Sequence, residues 1–491
     1  MSEPVSRPGL PPSPRSRLLR RGLPALLALA AALAVAIALL SRHAESPLQG
    51  PSGERARGSF DPLAYRSGDD EDYERRAAAG ESHILFARSP RGVEATARRV
   101  ERYRGPIEAA VGADDVDPDV LEAIVFLESG GRPDVIAGGD PANAAGLTQI
   151  VAETGQSLLG MHIDLAASRR LTRRYLRELR RDHPFAAGRA LAARRRVDDR
   201  FVPAKALAAT VRYLSIARRR LRRDDLATVS YHMGIGNLEG VLLAFGEEQP
   251  SYARLYFGST PLRHAAAWAM LARLGDDSST YYWRVLAAKE ILRLYREDPA
   301  ELARLNRLQT AKASGEEVLH PRARSEVFGD PDAITQARGD GVLITLPPPG
   351  SLGMRRDRRM GELARRLGQR PALYFALRPE AIRVARYLAA GVRRISGRRE
   401  PLIMTSAVRD ERYQQLLGLS NPEATHAYSL HTTGYAFDIL RRYHGRAQAW
   451  ALQFMLDRLQ ALDLIAWVRE PAAIHVTAAA DARSLVARPG G

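Results

Sequence analysis

Residues 117–155 read DPDVLEAIVFLESGGRPDVIAGGDPANAAGLTQIVAETG. Asp117 before Pro118 has the form of an N-cap followed by proline at the first helical position. Leu121, Ile124, Val125 and Glu128 then share one helical face, and Ser129-Gly130-Gly131 stops the helix. Glu128 is the odd member of that face. A carboxyl at the end of an apolar face is partly desolvated, which raises its pKa and keeps it protonated near neutral pH. A general acid for a glycosidic oxygen needs that state. A carboxylate that only caps or pairs at a helix end fits the same spacing, so these residues alone leave both readings open.

Outward from this stretch, residues 95–245 read as helices, with Leu207, Val211, Leu214 and Leu221 on one face of another. Residues 250–315 also read as helical, with Trp268, Tyr281, Tyr282 and Trp283 as core. Pro347-Pro348-Pro349-Gly350 is a break. Leu402 to Thr405 and Ala473 to Thr477 are short strand-like runs beside helical stretches, which indicates a small α+β domain.

The chain has 491 residues, enough for about three domains. With 45% hydrophobic and 26% charged residues it is neither disordered throughout nor collagen-like. It has no cysteine, which excludes disulfides, thiolate zinc sites and cysteine nucleophiles. The net charge is +17, carried by arginine, with only Lys205, Lys289 and Lys312 as lysines. Such a balance draws a chain to nucleic acid, anionic lipid or an anionic wall polymer. Interspersed acids and the lack of an aromatic-basic stripe favour a plain arginine bias over a nucleic-acid surface.

Residues 22–41 carry no charge and are long enough to span a bilayer. Arg15, Arg17, Arg20 and Arg21 precede them, while Arg42 and Glu45 nearly balance on the other side. The positive-inside rule sets residues 1–21 as a cytoplasmic tail and the rest outside. The competing reading is a cleaved signal peptide, but its apolar region would be long and the exit lacks a small-x-small cleavage site, so an uncleaved anchor in the cytoplasmic membrane is expected. Export opposes DNA or RNA as a partner. Residues 42–94, rich in Ser, Gly, Pro, Arg and acids, read as a flexible tether.

Three words now combine. Glu128-Ser129, then Gly146-Leu147-Thr148-Gln149, then Ser230-Tyr231-His232 followed by Gly234, Gly236 and Asn237, resemble the soluble lytic transglycosylase domain, glycoside hydrolase family 23. The resemblance covers roughly residues 105–245 within a domain set at 95–245. It implies a mainly α, lysozyme-like domain that cleaves the bond from N-acetylmuramic acid to N-acetylglucosamine in peptidoglycan. Glu128 would protonate the leaving oxygen and then act as base on the muramyl 6-hydroxyl, closing a 1,6-anhydro ring. An internal nucleophile replaces the second carboxylate of ordinary glycosidases. Ser129, Gly146, Leu147, Gln149, Tyr231, His232, Gly236 and Asn237 would be the substrate-binding set, with Tyr231 hydrogen-bonding near the acid. His232 stands where the family has Asn. That puts a substrate hydrogen bond in doubt or adds a pH-dependent charge, and a packed histidine fits as well.

A second constellation lies downstream. His431 and Asp438 are seven residues apart with Gly434 between them, and His475 sits on a strand-like run. Two imidazoles and a carboxylate with one open position form a known catalytic zinc arrangement. The word Ser-x-His-x-x-Gly-x-Ala-x-Asp, matched by Ser429, His431, Gly434, Ala436 and Asp438, resembles the zinc D-alanyl-D-alanine carboxypeptidase and dipeptidase family. The upstream MTSAVRDERYQQLL at 404–417 resembles its arginine segment, in which Arg409 would stabilise an oxyanion or hold a substrate carboxylate. The resemblance covers roughly 370–480 and implies Zn2+ on His431, Asp438 and His475. One position departs. The family's general base is a Glu three residues before the final His, and here that residue is Ala472. Glu470 lies two residues further upstream and is either a substitute base or a solvated loop charge. Without a base the rate falls by about 10²–10⁴. An active peptidase and a non-cleaving domain that grips stem peptides both stay open.

The expected architecture is multi-domain: tail 1–21, anchor 22–41, tether 42–94, transglycosylase domain 95–245, helical connecting region 246–365, small α+β zinc-peptidase-like domain 366–482, and tail 483–491. The expected partners are glycan strands, stem peptides and, through one helix, the membrane. The alternatives are a non-catalytic wall-binding scaffold and a charge-driven binder of nucleic acid or anionic lipid.

Overall fold

The computed structural model describes residues 60–66, 68–311, 315–419 and 428–486. The expected anchor lies outside the described residues, and among those described no helix is long and apolar enough to cross a membrane. The described residues all belong to one compact unit, 47–491. The fold is mostly helical, with a small sheet near the C-terminus.

The Pro118–Ser129 helix forms as the sequence predicts. The Asp117 carboxylate accepts from the Asp119 N–H, and Gly130 ends the helix in the left-handed region at φ 58°. Leu121, Ile124 and Val125 are buried on it. The Pro203–Leu221 helix likewise buries Leu207, Val211, Leu214 and Leu221.

The C-terminal sheet has the order β2-β4-β5-β7-β6, from β2 (Met354–Arg356), β4 (Leu402–Ser406), β5 (Ala436–Leu440), β6 (Ile465–Arg469) and β7 (Ala473–Ala478). The short β1 (Ile344–Thr345) and β3 (Ala376–Leu377) pair separately. β2 runs parallel to β4 and the other neighbours are antiparallel. The Pro379–Ser396 and Arg446–Ala461 helices pack together, burying Val384, Leu388, Met455 and Leu459 in one core with sheet residues Met404, Phe437 and Val476.

Three expected boundaries are corrected. Residues 70–88 form a helix where a tether was expected. Asp70, Glu71 and Asp72 sit in its first turn and Arg88 in its last, which suits the helix dipole. Its few apolar residues are nearly all used: Tyr73, Ala77, Leu85 and Phe86 are buried. A Cβ on Gly80 would stand 2.6 Å from the Gln460 carbonyl oxygen, so glycine is what lets this helix approach the Arg446–Ala461 helix. Residues 246–365 are not a separate connector either. The Tyr281–Glu297 helix packs on both Asp70–Arg88 and Pro118–Ser129, and β2 belongs to the C-terminal sheet. The last described residues are not a loose tail, since Leu485 is buried and bridges Phe60.

The seam between the helical part and the sheet part is therefore built in. On the helical side of that seam Tyr73 packs against Phe257 with ring centroids 4.7 Å apart, and Phe257 against Trp283 at 5.4 Å. Buried Arg76 pairs with buried Asp481 across the seam. Buried Arg458 donates to the carbonyls of Phe257 at 3.0 Å and Ser259 at 2.9 Å. Each buried aromatic contributes about 1.5–3 kcal/mol, and the charged partners are costly to separate once buried. The two halves are held as one body.

Candidate functional site

Glu128 occupies the last turn of the Pro118–Ser129 helix, partly open to a cleft of about 250 Å³ lined by Ile84, Phe126, His232, Asp277, Tyr281 and Arg284. Burial pushes its carboxyl up to about 7, although the Tyr281 hydroxyl donating to Oε1 at 2.8 Å pulls the other way. Tyr281 is itself buried and opens the Tyr281–Glu297 helix. His232 is exposed at the end of the Asp224–Met233 helix and stacks on Tyr281 with centroids 5.0 Å apart. Its Nδ1 lies 2.9 Å from Ser278 Oγ, and its Nε2 lies 3.6 Å from Asp277.

Of the residues expected to bind substrate here, only His232 joins Glu128 in lining this cleft. Leu147 is fully buried core. Ser129 is buried, and its Oγ receives the Arg132 N–H at 3.3 Å. The Gln149 amide donates to the carbonyls of Gly146 at 2.8 Å and Val135 at 3.2 Å, so it braces its own loop. Gly146 has φ 85°, and a Cβ there would stand 2.0 Å from the Arg200 carbonyl oxygen. Asn237 Nδ2 caps the Met233 carbonyl at 2.8 Å, and Gly236 is exposed beside it. Tyr231 donates to the Thr148 carbonyl at 2.6 Å, which ties two of the sequence words together. These residues build the scaffold around the acid. Tyr281, expected as core alone, is the hydroxyl on Glu128. A buried phenol needs a polar partner, and that requirement was the available signal.

The second site stands on one face of the sheet. Asp438 on β5 lies directly opposite His475 on β7. His431 comes from the turn Leu430–Thr433, just before β5. Asp438 Oδ1 is 2.8 Å from His475 Nδ1 and 3.2 Å from His431 Nε2. All three residues are buried, and their ligand atoms lie within 4.8 Å of one another, a group that could hold a metal ion. His431 Nδ1 lies 2.7 Å from the Ala407 carbonyl, which as its acceptor fixes the tautomer that leaves Nε2 free to ligate. Burial pushes His431 down to about 4, so it is neutral, as a ligand must be. Burial opposes the Asp438 charge, yet the two imidazoles hold its carboxyl well below the usual range. Burial also opposes charge on His475, and the Asp438 hydrogen bond and charge, together with the Glu316 and Glu470 carboxylates, outweigh it and raise the imidazole. Two imidazoles and a carboxylate are donors that a divalent metal ion can use.

Arg409 reaches this group, with Nη2 3.0 Å from Asp438 Oδ2, while Nη1 donates to Gln414 Oε1 at 3.0 Å. Glu470 lies in the turn between β6 and β7, and both it and Ala472 line the cleft of about 1160 Å³ that contains the triad. The sequence reading missed Glu316. It is buried, lines the same cleft, and places Oε1 3.9 Å from His475 Nε2. Its helix, Glu316–Leu319, is held against the sheet by His320, whose ring stacks on Tyr435 at 3.7 Å and whose Nε2 lies 2.6 Å from the Ala478 carbonyl. Nothing in the local sequence around Glu316 marks it.

No protein-family model, curated protein or solved structure matches the chain.

Proposed function

We propose that the chain is a membrane-anchored peptidoglycan hydrolase, a lytic transglycosylase whose acid and base is Glu128. The observation that carries this reading is the Glu128 carboxyl held near 7 by burial at the edge of a cleft. A carboxyl poised there donates a proton at neutral pH and takes one back. Glu128 protonates the oxygen that leaves on the N-acetylglucosamine side. The carboxylate then takes the proton of the muramyl 6-hydroxyl, whose oxygen bonds to C1 and closes the anhydro ring. The proton count returns to its start and no water is consumed. Tyr281 keeps Oε1 oriented through the cycle. The fold expected for this part is lysozyme-like.

The second site extends the reading to the peptide. His431, Asp438 and His475 would hold Zn2+, which when bound polarises a carbonyl and favours ionisation of water. Arg409 orients Asp438 and offers a cation for a substrate carboxylate. With Ala472 at the family's base position, the site's role is to engage stem peptides, and Glu316 and Glu470 are the carboxylates at hand beside it. Residues 22–41 as a single-pass anchor would place both clefts on the wall side of the membrane.

The test is mass spectrometry of muropeptides released from purified peptidoglycan, with added zinc and again with chelator. Anhydro-muramyl products that persist under chelation are expected. Trimmed stem peptides lost under chelation would make the second site a peptidase. A folded protein that releases neither product from a susceptible wall refutes the enzyme reading and leaves a wall-binding scaffold.

A further inference from the structure

The two clefts share a wall. Ile84 and Arg284 line both the Glu128 cleft and the larger cleft that holds His431, Asp438 and His475. Arg284 sits one helical turn beyond Tyr281, about 4.5 Å along the axis, and Tyr281 is the residue bonded to Glu128. Its guanidinium bridges Glu81 on one side, Nε to Oε2 at 2.9 Å, and Asp277 on the other. Gly80, Glu81, His83 and Ile84 then carry the wall along the Asp70–Arg88 helix toward Gly315 and Glu316, and Glu316 faces His475 at 3.9 Å.

We propose that these clefts form one substrate path, so that the protein takes peptide-bearing glycan in preference to bare glycan, with the stem peptide passing Ile84 and Arg284 toward the metal triad. This rests on the glycan-cleaving reading of Glu128. A stem peptide hangs from the muramyl sugar, the sugar whose bond is cut, so it must leave the first cleft beside the acid. In this proposal that exit runs over Ile84 and Arg284, the residues the two clefts have in common, toward the second chemical site. The larger cleft, about 1160 Å³, exceeds the ~300–1,000 Å³ of pockets for drug-sized ligands. An extended peptide of four or five residues spans roughly 14–18 Å. Arg284, braced between Glu81 and Asp277, fixes the shape of the wall where the peptide would enter. The rigid seam through Arg76–Asp481 and Arg458 keeps the two clefts in register, so the second contact is made at high effective concentration.

The test uses the full chain carrying Glu128→Gln, which leaves bound glycan uncut. Isothermal titration compares a muramyl tetrasaccharide bearing tetrapeptides with the same tetrasaccharide without peptide. The peptide-bearing ligand is expected to bind at least tenfold tighter, and Arg284→Ala to reduce that advantage below about threefold. Arg284 also pairs within the fold, so Ile84→Trp, which fills the junction without removing a charge, is measured beside it and is expected to lose the advantage too. Equal affinities for the two ligands overturn this inference and leave the glycan reading standing. An advantage kept in full by a folded Ile84→Trp also overturns it. Failure of both ligands to bind overturns this inference together with the reading beneath it.

Discussion

Glu128→Gln separates burial of the acid from its chemistry. The substitution keeps the shape and an acceptor oxygen for Tyr281 and removes the ionisation. In the unfolded chain the carboxyl titrates near 4.5, and in the folded protein near 7. Between those values the folded state holds a proton that the unfolded state has released. Its share of stability is therefore full below about pH 4.5, is lost as the pH rises to about 7, and is flat above that. Full conversion at 1.36 kcal/mol per unit comes to about 3 kcal/mol, and the carboxyl's partial opening to the cleft reduces this to about 2 kcal/mol. Glu128→Gln does not titrate, so its stability relative to wild type is expected to rise by about 2 kcal/mol between pH 4 and pH 8. In a body of this size that is a Tm difference of about 2–4 °C. Paired scanning calorimetry at the two pH values reads it, because every other titrating group is common to both proteins. The same variant is expected to lose anhydro-muramyl product formation by at least about 10²-fold. Parallel pH dependences of Tm would show that burial does not raise this carboxyl. Full cleavage by the variant would remove Glu128 from the reaction.

Tyr281→Phe deletes a hydrogen bond that favours the Glu128 carboxylate. The alkaline limb of the pH–rate profile is expected to move upward, and an unmoved limb would refute the contact. His431→Ala is expected to take bound zinc from about one ion per chain toward none, read by elemental analysis of dialysed protein. Equal zinc in wild type and variant would discard the metal site. Gly146→Ala forces a Cβ onto the Arg200 carbonyl in a left-handed backbone, and is expected to cost about 3 kcal/mol or more of stability in a thermal melt. A melt identical to wild type would refute the close approach.

Much was legible along the chain because its determinants are local. Proline, cap and glycine signals set the Pro118–Ser129 helix, and period-3.6 spacing set Pro203–Leu221. The strand-like run Ala473 to Thr477 set β7, and with it the strand carrying His475. Glu128 stood out because a carboxyl on an apolar face is a local contradiction. The Asp70–Arg88 helix was illegible for the opposite reason. Its charges and small residues look solvated until the surfaces of several other helices cover Tyr73 and Phe86.

By itself, the sequence determined the helical class of the first part, the strand runs of the second, the acid at residue 128 and the spacing of His431 and Asp438. Only tertiary structure decided which hydroxyl holds the acid, that Gln149 and Leu147 brace a loop and fill a core, and that Glu316 faces His475. It also decided that residues 70–88, expected within a tether, form a helix lining both clefts. The physical reason is separation along the chain. Capping and periodicity act over one or two helical turns, whereas the contacts of Tyr281, Glu316 and Arg76 are made with residues more than a hundred positions away. Those contacts exist only once the whole core has closed.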